Sequence, residues 1–198
     1  MKRLLLWCLI LLVAWKIVTR EQAVSYGPGI MASAIPKQTE PDSTSRLMYD
    51  GYQITPLADF HVIAKVLSKR KYRLGREADL SPIDLTLGWG RMSDESVLAK
   101  LSISQSNRWY RWQAQELPIP RREIETHSAN MHLIPADSSV ERALNRIRKG
   151  ELIELHGQLV SVSSDDGWQW TSSLTRNDTG AHACELILVE SVIPRGSR

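Results

Sequence analysis

The chain has 198 residues, a formal net charge of +3 and two cysteines. That charge is too small to argue for nucleic acid by itself. The cysteines, Cys8 and Cys184, exclude a disulfide framework, which an exported domain of this size does not need.

Met1-Lys2-Arg3 precede an apolar run from Leu4 to Val18 that only Lys16 interrupts. A basic flank before such a run fits a cleaved signal peptide or an uncleaved anchor. About 15 residues at ~1.5 Å each reach roughly 22 Å, against a hydrocarbon core of ~30 Å. Lys2, Arg3, Lys16 and Arg20 can snorkel to lengthen the span, and Trp7 and Trp15 suit interfacial depth. Thr19-Arg20-Glu21-Gln22 is unsuited to cleavage, and Ala32-Ser33-Ala34 lies too far downstream. No cysteine follows the run closely enough for lipid attachment. The expectation is therefore a transmembrane signal-anchor over residues 1–20, with the lipid bilayer as its partner. The excess of positive charge before the run places the bulk of the chain outside the cytoplasm.

Between Ser25 and Ser45 the composition turns to Gly, Pro, Ser, Thr and Ala, and no apolar period survives. Residues 21–45 thus read as a flexible linker holding a domain off the membrane. Residues 46–198 remain for one globular domain with a substantial core.

Within that domain, Tyr52 to Leu67 alternates as a strand does, with Phe60, Val62, Ala64 and Val66 on one face. Ser68 to Arg73, with Arg76, is the most basic run. It suits a solvated strand end or turn, or contact with an anionic partner such as phospholipid headgroups or a nucleic-acid backbone. Asp79 to Asp94 reads as an ordered loop in which Gly88 and Gly90 flank Trp89, packing the indole on a neighbour or offering it to a ligand. Ser93 reads as the N-cap of a short helix with Val97, Leu98 and Leu101 on its buried stripe. As a strand, Arg108 to Trp112 puts Arg108, Tyr110 and Trp112 on one face and Trp109 and Arg111 on the other. Arginine beside aromatic rings suits a core covered by arginine stems, or stacking against a base or sugar.

Leu117-Pro118-Ile119-Pro120 breaks the chain before Glu123 to Pro135, which crowds His127, Ser128, Asn130 and His132 into one stretch. Ser138-x-x-Glu141 has the form of a capping box and starts a helix over Ser139 to Lys149. A strand from Glu151 to Val162 follows, with Gly157 as its bulge. Asp165-Asp166-Gly167 and Asn177 to Gly180 turn the chain, and Cys184 to Val192 is a strand apolar on both faces, as a covered strand should be. The fold expected is α+β and strand-rich. It is a small curled sheet or partial OB-like barrel with one or two short helices, preceded by the transmembrane helix.

The strings Asp79-Leu80-Ser81-Pro82-Ile83-Asp84, Gly88-Trp89-Gly90, Arg108-Trp109-Tyr110 and Ser128-Ala129-Asn130-Met131-His132-Leu133-Ile134-Pro135 resemble a family of uncharacterised bacterial proteins with one amino-terminal membrane segment. The resemblance spans most of the domain after the linker. It implies a bacterial, envelope-associated protein and supplies no activity, cofactor or catalytic residue.

The chemistry of the central stretch divides three ways. His127 and His132 are five residues apart, so a helix would not stack them, although a turn could bring them together with His61, His156 or an acid as a third metal ligand. Ser128 beside His127 makes no triad by adjacency, and there is no Gly-x-Ser-x-Gly elbow. The plainest reading of His127, Asn130 and His132 is a polar network tying a turn to neighbouring backbone. The residues carried forward as ligand-binding candidates are His127, Asn130, His132, Trp89, Arg108 and Trp109, with no metal site and no cofactor assigned. The function expected is a membrane-anchored envelope domain that binds a partner or small ligand, or acts as a scaffold, without catalysis, an envelope protein being one such partner and nucleic acid being disfavoured. The rival is a hydrolase or metal-dependent enzyme centred on His127 and His132.

Overall fold

Alternation in one long strand sets the architecture. In the computed structural model, which describes Trp7, residues 22–175 and residues 184–196, β3 (Tyr52–Lys71) runs for 20 residues and buries every second side chain from Ile54 to Val66. Its first part pairs antiparallel with β8 (Leu152–Ser163), from Gln53 against Ser163 to Lys65 against Leu152. Its last part pairs antiparallel with β4 (Ile83–Gly88), ending at Lys71 against Ile83. Then β4 pairs antiparallel with β7 (Ser128–Pro135), β7 parallel with β10 (Glu185–Pro194), and β10 antiparallel with β8. The pairing returns to β3, so the sheet curls on itself and these strands leave no free edge along that path. Among the described residues, three short strands of this sheet lie outside that path. Of these, β1 (Lys37–Thr39) and β2 (Leu47–Tyr49) pair with β3, and β9 (Gln169–Thr171) pairs with β8.

The chain is α+β and strand-rich, with 45% of the described residues in strands and 17% in helices. The described helices are short: α1 (Arg76–Leu80), α2 (Glu95–Leu98), α3 (Arg121–Thr126) and α4 (Ser138–Arg146). No described helix is long and apolar enough to cross a membrane. The anchor expected at 1–20, apart from Trp7, and the turn expected at 177–180 lie outside the described residues.

The main core gathers Phe60, Val62, Ile83, Leu85, Leu87, Met131, Leu133, Leu155 and Ile187 from the curled sheet, with Val140 and Leu144 of α4 packed on it. A second cluster joins Ile54, Val160, Val162, Leu186 and Leu188, with Trp168 and Trp170 leaning against it. The stretch between β4 and β7 carries its own small core of Met92, Val97, Leu101, Ile119 and Ile124, against Leu67 of β3.

Several local expectations are corrected. The N-cap of α4 is Asp137, whose carboxylate accepts from Ser139 N and Val140 N, so the helix starts at Ser138 without the capping box. It stops at Arg146, where Lys69 Nζ donates to the carbonyls of Asn145 and Ile147. Part of the basic run is therefore a helix cap. Asp94 caps α2 by accepting from Ser96 N, which frees Ser93 for another task. Gly157 is in register; the shift falls in β10 between Val189 and Ser191. The glycine is required because a Cβ there would lie 2.2 Å from the Leu188 carbonyl oxygen.

The largest correction concerns residues 21–45. From Val24 to Ala32 this segment is bound as a strap, not left as a flexible linker. Val24 N donates to Lys149 O at 2.8 Å, and Gly90 N donates to Ala32 O at 2.7 Å. Gly150 has φ +86°, and a Cβ there would lie 1.9 Å from Val24 O, so only glycine admits the strap. Between these ends, Glu95 accepts from Ser25 Oγ, Tyr26 N and Gly27 N, and Asp94 accepts from Gly29 N. Ser93 Oγ accepts from both Met31 N and Ala32 N. The buried Lys65 ammonium, 2.8 Å from Glu95, completes the clasp.

Burial pushes the Glu95 carboxyl up, but hydrogen bonds from Lys65, Ser25 and the Tyr26 N–H outweigh it and hold the group at about 2. A carboxylate depressed this way stabilises the fold above its unfolded value near 4.5, and the contribution is lost as pH falls toward 2. Glu95→Ala should raise hydrogen exchange at Tyr26 and Gly27. It should also lower unfolding free energy by about 1–3 kcal/mol, a range discounted because the carboxylate still meets solvent. In the parent chain the same loss should appear between pH 4.5 and 2; exchange-detected mass spectrometry and acid titration of stability check both.

Candidate functional site

The densest polar chemistry lies on the face of β4 and β7 turned away from the main core. Because Ile83, Leu85, Leu87, Met131 and Leu133 point into that core, alternation sends Asp84, Thr86, Ser128, Asn130 and His132 to the other side. Register sets them in rows: Asp84 faces His132, Thr86 faces Asn130, and Gly88 faces Ser128. All five polar side chains are buried, and Asp84 has no exposed surface at all.

A hairpin covers them. Its strands, β5 (Ser102–Ser106) and β6 (Trp109–Gln113), pair from Ser102 against Gln113 to Ser106 against Trp109. The two-residue turn places Asn107 at φ 51° and Arg108 at φ 65°, the left-handed pair that matches strand twist in a tight hairpin. Asparagine tolerates this conformation; arginine seldom adopts it. The contacts of Arg108 account for its presence. Its Nη1 donates to Asp84 Oδ1 at 2.6 Å and to the Ser81 carbonyl at 2.8 Å. Its backbone N–H donates to Tyr72 Oη at 3.0 Å, and its carbonyl accepts from Asn130 Nδ2 at 3.0 Å. The guanidinium lies 3.9 Å from the Tyr72 ring centre and 5.6 Å from that of Trp170. One residue thus ties the hairpin to β4, β7 and two loops.

The remaining polar atoms are drawn in around it. Gln105 Nε2 donates to Asn130 Oδ1 at 2.6 Å, with Thr86 Oγ1 at 3.4 Å from the same oxygen. Ser128 Oγ donates to the Ile124 carbonyl at 2.6 Å and meets Tyr110 Oη at 2.7 Å. Burial pushes the Tyr110 hydroxyl up to about 12, against the opposing hydrogen bond with Ser128, so it stays a donor. His132 Nδ1 lies 3.0 Å from Asp84 Oδ1, close but too poorly directed for a good hydrogen bond, and its ring leans on Trp170 at 5.1 Å. The loops on either side are joined by Arg76, which binds Asp166 and lies over the Trp168 ring. The Arg76 guanidinium holds the Asp166 carboxyl well below the usual range.

Of the residues singled out from the sequence, the structure brings Asn130, His132 and Arg108 together and leaves the others apart. His127 caps α3, with Nδ1 3.1 Å from Thr126 Oγ1 and 3.2 Å from the Glu123 carbonyl. At ~3.3 Å per residue it stands roughly 16 Å along the chain from His132. Trp89 is 1% exposed and belongs to the main core, so its indole is architecture. Trp109 is exposed on the outer face of the hairpin, opposite Arg108 and Tyr110, as alternation requires. Asp84, Tyr72, Gln105 and Trp170 were missed. The signal for Asp84 was an acid alternating with Ile83, Leu85 and Leu87, hidden because the stretch reads as a loop.

The polar side chains of this face are held by one another and by backbone groups. Ser128 Oγ is engaged by a phenol and a carbonyl, neither of which can take its proton as a base. Two surface depressions, one of 760 Å³ along Ala99–Ser102 and Gln113–Glu116 and one of 240 Å³ beside Val24 and Glu95, include neither Asp84, Arg108, Asn130 nor His132 in their walls. Among the described residues, one group of three His, Asp or Glu side chains converges closely enough for a metal. It is His61, Glu154 and His156, on other strands.

Asn130→Ala should cost about 1–3 kcal/mol, because Gln105, Arg108 and Asp84 each lose a partner. Asp84→Ala should cost more, about 3–5 kcal/mol, since it strands a guanidinium that is only 13% exposed. Trp109→Ala should stay within about 0.5 kcal/mol. Thermal and denaturant melts of the three variants check the ranking.

No protein-family model, no curated protein and no solved structure matches this chain, so its residues alone carry the reading of its function.

Proposed function

We propose that this chain is a membrane-tethered, non-catalytic scaffold of the bacterial envelope, built on an OB-type barrel whose ligand face is closed by its own hairpin. The strand order supports the barrel reading. Along β3, β4, β7, β8 and β10 the chain makes three antiparallel neighbours in sequence, a helix, and two closing strands, with β7 and β10 as the parallel pair. That is the Greek-key pattern of the five-stranded OB barrel, by analogy of topology. Such barrels bind ligands on the face of their second and third strands, between the loops that flank it. Here that face is the row of Asp84, Thr86, Asn130 and His132.

One observation carries the proposal: the insert between the second and third strands folds back over that face and engages Asp84, Asn130 and Ser128 through Arg108, Gln105 and Tyr110. A ligand would have to displace a buried ion pair and a set of short hydrogen bonds. Recognition therefore falls to the outer surface, where an envelope protein is the partner of choice. His127 and His132, on which the rival hydrolase or metal enzyme is centred, serve different neighbours, which supports the scaffold reading over it.

The tether rests on the basic flank and apolar run at the amino terminus. Because the strap is clasped from Val24 onward, a span ending near Arg20 would hold the barrel against the bilayer instead of at a distance. The full chain should stay in the membrane fraction through high-salt and carbonate washes. Protease added outside spheroplasts should remove it, while detergent-free intact cells should protect it. Recovery in the soluble fraction, or survival of the chain in protease-treated spheroplasts, would contradict the tethered, outward-facing reading.

A further inference from the structure

A second convergence lies on β3 and β8, with no part in the polar centre. Alternation puts Glu154 and His156 on one face of β8, two residues apart, and the antiparallel register sets His61 of β3 directly opposite His156. The two imidazoles stack at 4.2 Å between centres with 25° between planes. Their Nε2 atoms reach the same carboxylate oxygen, Glu154 Oε1, at 2.9 Å from His61 and 3.2 Å from His156. One ligand atom from each residue lies within 4.8 Å of the others. The other carboxylate oxygen, Oε2, is held by Arg195 Nε at 2.7 Å, which fixes the orientation in which Oε1 faces both rings. His156 is exposed and the other two are half-buried, so the group opens to solvent.

We propose that His61, Glu154 and His156 bind one borderline divalent metal ion of the zinc(II) or copper(II) class. Two imidazole nitrogens and one carboxylate oxygen suit such an ion, whereas magnesium and calcium favour sites made of oxygens. Three protein ligands leave a coordination position for water or for a donor from another molecule, as in open zinc sites. The ion takes the place of the two contacts that now join the rings to Glu154. Arg195 acts as a positioning residue, holding the carboxylate through the oxygen the metal does not use. The site is independent of the scaffold proposal, since it uses neither the hairpin nor the membrane segment.

The test is isothermal titration of the full chain in detergent, stripped by chelator, with zinc(II) alone. One equivalent per chain should bind, and His61→Ala and His156→Ala should each weaken it by at least about tenfold, a ligand mattering no less than an outer-shell partner. Near-UV circular dichroism should show both variants folded. Absence of binding overturns the proposal, as does binding unchanged in the folded double variant. If the variants do not fold, imidazole NMR signals of the unsubstituted chain decide. Zinc-induced shifts confined to His61 and His156 support the site; shifts at His127 or His132, or none, overturn it.

Discussion

A carboxylate with no exposed surface cannot stand alone, and the placing of Asp84 constrains much of what surrounds it. Stripping water from a charge costs several kcal/mol even after the protein relaxes, so a partner must arrive with good geometry. Arg108 is that partner, and it comes from a hairpin turn far from β4 in the chain. To reach Asp84 it adopts a left-handed backbone that arginine rarely takes, stabilised by Tyr72 and Asn130 at its own N–H and carbonyl. The hairpin is thereby fixed over β4 and β7, and the loop bearing Tyr72 and the strand β9 bearing Trp170 are fixed against the hairpin.

The energetic meaning of such a pair is asymmetric. Against apolar side chains of equal volume, a buried ion pair gains little stability; breaking it by removing one member costs far more. Asp84 and Arg108 are best understood as specifying where the insert sits. The aliphatic core of the curled sheet supplies the driving force, through side chains such as Leu85, Leu133 and Leu155 that water does not reach. The polar row outside that core decides which surface remains open, and it leaves the β4–β7 face closed. The strap makes a similar use of charge. Glu95 neutralises buried Lys65 and at the same time gathers the N–H groups of Tyr26 and Gly27, so the segment leading from the amino terminus is part of the folded unit.

Much of this was legible where the signal is local. The period of β3, the apolar stripe of Val140 and Leu144, the covered strand at the end of the chain and the split faces of Arg108 and Trp109 follow from spacing alone. What was not legible depends on partners distant in sequence. Ile83 to Gly88 is a six-residue strand between Pro82 and a Gly-Trp-Gly turn, too short for its alternation to outweigh the turn signals around it. The strap has no side-chain period because it is held through its backbone N–H groups, and their acceptors, Glu95, Asp94 and Ser93, look like an ordinary helix start. Crowding of His127 and His132 in sequence suggested a centre, yet strand geometry carries them apart. His61 and His156 are 95 residues apart and become neighbours only once the register of β3 and β8 is known.

A double-mutant cycle between Asp84 and Arg108, read as unfolding free energy, addresses the central claim most directly. If the pair pins the hairpin to the curled sheet, Asp84→Ala and Arg108→Ala should each be strongly destabilising. The double variant should then lose much less than their sum, with a coupling of about 2 kcal/mol or more. Additive losses, with coupling below about 0.5 kcal/mol, would mean that the two side chains do not depend on one another and that the hairpin is held by other means.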